Sequence, residues 1–108
     1  MFSIVHWNCN SIKNKIELLK FFLSNNKPDV VFLNEIKCNK VTCNLLFNEI
    51  KNYKCIYKYR EKNNGGGVAL LIKDEIQYDQ CYLFENHNTE IIGIKVYLKD
   101  YEFFIFSY

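Results

Sequence analysis

The sequence of 108 residues is long enough for one domain. It is 49% hydrophobic and 24% charged, a balance typical of a globular protein and unlike that of a disordered chain. The net charge of +2 is too small to indicate nucleic-acid binding by itself, so a phosphate-binding surface would need local clustering of charge. No apolar run approaches the ~18 residues of a membrane-spanning helix, and no membrane partner is expected.

The N-terminal third predicts a strand, a helix and a second strand. Residues 2–7 are short, apolar and rich in β-forming residues, which predicts a strand. The helix that follows has Ser11 as its expected N-cap and ends before Pro28, because the residue before a proline is disfavoured in a helix. The apolar run in residues 29–33 is typical of a central strand covered on both faces.

The remainder of the chain predicts one more helix and a run of antiparallel strands. Residues 41–51 have apolar side chains near helical spacing, and residues 53–59 alternate as in a strand with one aromatic face. Asn63 to Gly67 predicts the turn of a hairpin whose second strand is residues 68–72. Further strands are expected over residues 78–83, 90–98 and 102–107. The predicted fold is α/β, with one mixed sheet and two helices.

Polar side chains follow the first two strands at the point where each strand ends. A helical crossover makes these strands parallel, so both finish at one edge of the sheet, where open α/β folds bind ligands and metals. We expect Asn8, Asn10 and Glu35 to meet at that edge. A carboxylate beside amide oxygens suits Mg²⁺, which needs only one or two carboxylates, and Glu35 and Asn8 are the expected metal ligands. The alternative is that the asparagines only form turns and Glu35 is a solvated carboxylate.

Other candidates for substrate binding are basic and aromatic residues near these segments. Lys37 lies two residues after Glu35, where it could pair with that carboxylate or bind a phosphate. Tyr57 and Arg60 precede the glycine-rich turn, where a basic and aromatic hairpin could hold a nucleic-acid backbone and stack on bases. A solvated sheet edge is the alternative interpretation.

The five cysteines are odd in number and scattered, with no C-x-x-C pair, so a zinc site is not expected. We interpret them as reduced, mostly buried thiols, which favours an intracellular location, nuclear or cytoplasmic. His6 lies within an apolar strand and is interpreted as a core histidine. Cys9 is interpreted as a packing residue, because its side chain should point away from those of Asn8 and Asn10.

Three segments of the chain carry a resemblance to a known superfamily. They are Ile4 to Ile12 (IVHWNCNSI), Lys27 to Lys37 (KPDVVFLNEIK) and Gly65 to Ile72 (GGGVALLI). In order and spacing they resemble the endonuclease/exonuclease/phosphatase superfamily, above all the endonuclease domain of non-LTR (LINE-type) retrotransposons. That domain is in turn related to apurinic/apyrimidinic repair endonucleases.

The resemblance implies a fold and roles for several residues. The fold would be the N-terminal half of a four-layer α/β/β/α sandwich. Asn8 would help to organise the site and Glu35 would bind Mg²⁺ or Mn²⁺. Asn10 falls where the repair enzymes carry an aspartate, and Tyr108 resembles a tyrosine near the site. The implied substrate is DNA.

The superfamily also has a Gly-Asp-x-Asn segment and a C-terminal Asp-His pair, neither of which occurs in these 108 residues. Residues 1–108 would then form a C-terminally truncated domain that is weakly active or inactive alone. Its uncovered sheet face would bind the missing half or a self-association partner. The alternatives are a phosphatase or phosphodiesterase of the same superfamily, or a non-enzymatic module that binds nucleic acid or another protein.

Overall fold

The computed structural model describes residues 1–59, 66–81 and 91–107. These residues form two helices and seven strands in two sheets, one with the order β1-β2-β4-β3 and one with the order β5-β6-β7. In chain order the elements are β1 (Ile4–Asn8), α1 (Ile16–Asn26), β2 (Val30–Asn34), α2 (Lys40–Asn48), β3 (Tyr53–Lys58), β4 (Val68–Lys73), β5 (Gln77–Cys81), β6 (Ile92–Leu98) and β7 (Tyr101–Ser107). The α/β class and both helices are confirmed, whereas the expectation of one mixed sheet is wrong.

The four-stranded sheet has the strand directions that the crossover predicts. Strand β1 pairs in parallel with β2, from Ile4 opposite Val30 to Asn8 opposite Asn34. Strand β4 lies between β2 and β3 and is antiparallel to both. Therefore β1, β2 and β3 all run in one direction, and their carboxyl ends share one edge of the sheet. We call this edge the Glu35 end, and the opposite edge the Asp29 end.

The helices pack on one face of this sheet and bury the larger core. Helix α1 begins at Ile16 rather than after Ser11, because Ser11 has a left-handed φ of 84° and bonds to the loop after β2 instead. The helix ends as predicted, with Lys27 as its C-cap. Helix α2 is capped by the side chain of Asn39, which accepts a hydrogen bond from the Thr42 N–H at 2.9 Å. No helix in the described ranges is long and apolar enough to cross a membrane.

The second sheet covers the other face of the four-stranded sheet. The buried side chains between the two sheets are Val30, Val68, Leu70, Ile72, Ile76, Ile92, Ile94, Val96 and Ile105. The chain leaves the first sheet at a turn in which the Ile76 N–H bonds to the Lys73 carbonyl at 3.0 Å, and β5 starts in the new layer. The expectation that this sheet face is uncovered is therefore wrong. An outward side chain on the second sheet, Phe104, is instead 54% exposed.

Two of the cysteines are not free thiols. Cys38 precedes the capping residue of α2 and Cys43 lies in its first turn, which brings their Cα atoms to 5.8 Å, and their sulfurs form a disulfide. The prediction that all five cysteines are reduced is thus wrong for this pair. Spacing alone did not indicate the pair, because the helix start that brings the two residues together depends on the Asn39 cap.

Candidate active site

The ends of β1 and β2 continue side by side past the strands themselves. The Cys9 N–H bonds to the Asn34 carbonyl at 3.1 Å, and the Ser11 N–H bonds to the Glu35 carbonyl at 2.8 Å. These bonds bring Asn8, Asn10 and Glu35 to one corner of the sheet, as the parallel crossover predicted. All three side chains are exposed.

The backbone at this corner is held in an unusual conformation. Asn10, Ser11, Glu35 and Lys37 all have left-handed φ angles, between 45° and 84°. Non-glycine residues seldom adopt this backbone conformation, because each one costs of order 1–3 kcal/mol. Such residues are concentrated at functional sites. Hydrogen bonds between the two loops hold these conformations, among them the Ile12 N–H to the Ile36 carbonyl at 3.0 Å.

The end of the glycine-rich segment holds the Glu35 loop in place from the other side. The Ile36 N–H bonds to the Gly67 carbonyl at 3.2 Å, and the Lys37 N–H bonds to the Gly66 carbonyl at 2.8 Å. A Cβ at Gly67, whose φ is 86°, would lie 2.8 Å from Cγ1 of Ile36. The sequence indicated only a hairpin turn here. The contact with the Glu35 loop was missed, because it depends on β4 lying beside β2.

Two lysines converge on Asn10. The Lys37 ammonium donates to Oδ1 of Asn10 at 2.5 Å. The Lys15 ammonium donates to the backbone carbonyls of Cys9 and Asn10, the latter at 3.1 Å. Lys37 was expected near the site. Lys15 was not predicted at the site. Its position in the turn before α1 is the only feature of the sequence that could have indicated a contact with this loop.

His6 and Cys9 lie beside the asparagines and have different environments. His6 is exposed, so its interpretation as a core histidine is wrong; β1 is an edge strand, and Ile4 on the same face is 48% exposed. Its Nε2 donates to Oδ1 of Asn34 at 2.5 Å, since an amide oxygen only accepts. Cys9 is fully buried, its thiol donates to the Asn34 carbonyl at 3.2 Å, and burial raises its pKa. This environment agrees with a packing role for Cys9.

The oxygen donors at the corner fit a weakly held divalent cation. Among the described residues no group of three or more His, Cys, Asp or Glu side chains could hold a metal ion. Mg²⁺ does not need such a group, because it takes one or two carboxylates and keeps several waters. Asn8 lies opposite Asn34 in the strand register, and Glu35 is the next residue, so an exposed carboxylate and an exposed amide of the required kind are at the same corner.

The remaining substrate-binding candidates do not join this corner in the described residues. Tyr57 lies on β3, three strand spacings or about 14 Å from β1. Its ring stacks on Phe47 with centroids 5.1 Å apart, its hydroxyl donates to Asn44, and burial raises its pKa. Tyr57 was expected to stack on bases. Phe47 covers one face of its ring, and for that face the expectation is wrong. Arg60 and Tyr108 lie outside the described residues.

Comparison with known proteins identifies the family. Residues 5–108 match the Endonuclease/Exonuclease/phosphatase family, and the chain belongs to it. Members of this family are generally dependent on a divalent metal. Comparison with curated protein sequences gives no significant match.

Solved structures show the same fold at low sequence identity. The endonuclease domain of TRAS1, a telomere-specific non-LTR retrotransposon, has a TM-score of 0.74 at 12% identity over 99% of this chain and 45% of that chain. NExo, a 3′ phosphatase from Neisseria bound to a product DNA hairpin, has a TM-score of 0.67 at 19% identity over 89% and 38%. An AP endonuclease from Archaeoglobus fulgidus has a TM-score of 0.67 at 23% identity over 89% and 37%.

The chain spans less than half of the length of these three structures. Its two helices and two sheets are consistent with the N-terminal half of the family fold. At these identities the comparisons show the fold alone.

Proposed function

We propose that these residues are the N-terminal part of a Mg²⁺- or Mn²⁺-dependent DNA endonuclease domain of the retrotransposon type, and that they have little activity by themselves. The observation that carries this proposal is the corner where β1 and β2 end. There the exposed residue Glu35 lies at the same corner as Asn8 and Asn10, on loops joined by cross-strand backbone hydrogen bonds. The three sequence segments that resemble non-LTR retrotransposon endonucleases support the retrotransposon type, and TRAS1 shares the fold over 99% of this chain.

In the proposed reaction Glu35 and Asn8 would hold the cation through their oxygens. When bound, the cation would supply a positive charge that stabilises the phosphate and the leaving oxygen. The bonds from Ser11 and Ile36 hold the backbone of Glu35 and of the residue after it, so the backbone that carries the carboxylate is fixed relative to the end of β1. Low activity is expected because the sequence lacks the Gly-Asp-x-Asn and Asp-His segments. Loss of a general base and of a charge stabiliser would each cost ~10²–10⁴ in rate.

The first test measures metal binding, which does not require activity. Trp7, the only tryptophan, lies next to Asn8, so its fluorescence should report Mn²⁺ binding at the corner. We expect Glu35→Gln to weaken Mn²⁺ binding about tenfold or more, a loss of about 1.4 kcal/mol. Glu75→Gln removes an exposed carboxylate at the Asp29 end and serves as the control. Equal Mn²⁺ affinities of the two variants would contradict the metal site.

The second test is nicking of supercoiled plasmid with Mg²⁺. We expect only weak cleavage by the 108 residues and none by Glu35→Ala. Robust cleavage that Glu35→Ala abolishes would support the endonuclease and refute the low activity. Phosphate release from small phosphomonoesters without any nicking would favour a phosphatase.

A further inference from the structure

The environment of Asn10 fixes which way its side-chain amide faces. An ammonium group has only N–H donors, so the atom of Asn10 that lies 2.5 Å from Lys37 Nζ is the oxygen, Oδ1. The amide nitrogen, with its two N–H groups, is therefore on the other branch of the side chain. Asn10 is exposed, so these N–H groups are accessible to a ligand.

This orientation makes Asn10 a poor metal ligand. A cation can bind an amide only through its oxygen, and the oxygen of Asn10 already accepts a charge-assisted hydrogen bond. A divalent ion at the same oxygen would lie within a few ångströms of the Lys37 charge, and the two would repel each other. Metal binding at Asn10 would thus require Lys37 to move away.

The same orientation suits an anion. Asn10 presents N–H donors, Lys37 places an ammonium beside them, and the Lys15 ammonium lies against the Asn10 backbone carbonyl at 3.1 Å. Two positive charges and a pair of amide donors around one loop form a local cluster of the kind that binds phosphate oxygens. The net charge of the chain, +2, gives no sign of this cluster.

We propose that Asn10 and Lys37 bind a phosphate oxygen of a nucleic-acid backbone, with Lys15 as the residue that positions the Asn10 loop, and that Asn10 is not a metal ligand. The choice of nucleic acid rests on the proposed function; the anion site itself does not. A cation held by Glu35 and an anion site at Asn10 would contact one phosphodiester from two sides of the corner.

The experiment measures binding of a fluorescent duplex oligonucleotide by anisotropy in EDTA, so that no metal contributes. Asn10→Asp keeps the shape of the side chain but replaces the N–H donors with a carboxylate oxygen. We expect it to weaken binding about tenfold or more at low salt. Lys37→Gln should reduce the slope of log affinity against log salt concentration by the amount that one phosphate contact contributes, about one. Lys37→Arg should leave that slope unchanged. Lys51→Gln, an equal charge change at the Asp29 end, is the control and should change affinity less than about twofold.

Mn²⁺ binding by Asn10→Ala separates the two roles of Asn10. This variant removes the amide without adding a carboxylate, and we expect its Mn²⁺ affinity, followed by Trp7 fluorescence, to equal that of the wild type. A tenfold loss of Mn²⁺ affinity would overturn the proposal. So would unchanged oligonucleotide affinity in Asn10→Asp when urea unfolding shows that the variant is folded.

Inorganic phosphate as a second probe distinguishes this proposal from the proposed function. If phosphate binds and Asn10→Asp weakens phosphate binding, while the duplex does not bind, the result supports the anion site and contradicts DNA as the substrate. If Glu35→Gln leaves Mn²⁺ binding unchanged but Asn10→Asp still weakens duplex binding, the result contradicts the metal site and supports the anion site. A wild-type chain that binds neither probe overturns the anion site.

Discussion

The two ends of the four-stranded sheet each carry a carboxylate, and the two carboxylates have opposite surroundings. At the Asp29 end, Oδ2 of Asp29 accepts hydrogen bonds from the Ser3 backbone N–H at 2.7 Å and from its hydroxyl at 3.2 Å. Lys73 lies 3.4 Å from the other oxygen, and the Asp29 side chain is only 19% exposed. At the Glu35 end, no side chain in the described ranges pairs with the exposed Glu35 carboxylate.

This difference separates a structural carboxylate from one that is available to a ligand. Asp29 joins the start of β2 to the segment before β1 and to the end of β4, so its bonds stabilise the fold. Glu35 lies on a loop that the backbone holds without using its side chain. We therefore expect changes at the Asp29 end to alter the stability of the fold, and changes to the Glu35 side chain to alter ligand binding.

The largest expected effect is at the backbone contact that supports the Glu35 loop. Gly67→Ala would place a Cβ 2.8 Å from Ile36 and 3.2 Å from the Lys58 carbonyl, at a φ of 86° that disfavours alanine. We expect a loss of about 2–4 kcal/mol in the free energy of unfolding, measured in urea, and weaker Mn²⁺ binding because Glu35 precedes Ile36.

The double variant Gly67→Ala with Ile36→Ala tests the cause of this loss, because the change at Ile36 removes Cγ1, the atom that the new Cβ would lie against. If the clash dominates, the pair should be less destabilised than the sum of the single variants. Strict additivity would mean that the contact does not determine the loss, and that the left-handed backbone does.

The second effect is at the Asp29 end. Burial would raise the pKa of Asp29, but the hydrogen bonds from Ser3 and the charge of Lys73 outweigh burial and lower that pKa below its usual value. A carboxylate with a lowered pKa stabilises the folded state above its unfolded pKa, and that stability is lost as the pH falls through the folded pKa. We expect Asp29→Asn to cost about 1 kcal/mol at pH 7.

The pH dependence checks this assignment. The difference in the free energy of unfolding between wild type and Asp29→Asn should shrink as the pH is lowered from about 5 towards 2, because Asp29 is then protonated in both states. A difference that stays constant over this range would show that the charge of Asp29 contributes nothing, and that the cost comes from packing alone.

The smallest effect on stability is expected at Glu35. Its side chain is exposed and makes no bond within the described part of the chain, so Glu35→Gln should change the free energy of unfolding by less than about 0.5 kcal/mol. Urea unfolding of both proteins in EDTA gives the comparison. A loss as large as that of Asp29→Asn would make Glu35 a structural carboxylate and remove the contrast between the two ends.

The local part of the site could be predicted from sequence. The apolar runs, the helix between them and the handedness of the crossover were enough to bring Asn8, Asn10 and Glu35 to one corner. The partners of these residues could not be predicted in the same way. Gly67 reaches the Glu35 loop because β4 pairs with β2. Tyr57 was assigned to substrate because the helix that covers its ring was not placed against β3.

The same limit applies to the sheets and to exposure. Alternation identified the strands, but it did not show that the turn at 74–76 moves β5 into a second layer. His6 was predicted to be buried because its neighbours in sequence are apolar. However, β1 is an edge strand, and the face of β1 that carries Ile4 and His6 is exposed.

The residue pattern was enough to predict the order of the elements, the parallel pair of strands and the residues at the corner, because periodicity and the handedness of one crossover depend on a short stretch of chain. The folded structure was needed to find the division into two sheets, the Cys38–Cys43 disulfide and the contacts of Lys15 and Lys37 with Asn10. The disulfide and the Lys15 contact join residues close together in the chain, but they depend on where α2 and α1 begin. The two sheets and the Lys37–Asn10 contact depend on segments that packing brings together, and the pattern of residues within one segment does not encode which other segment will lie against it.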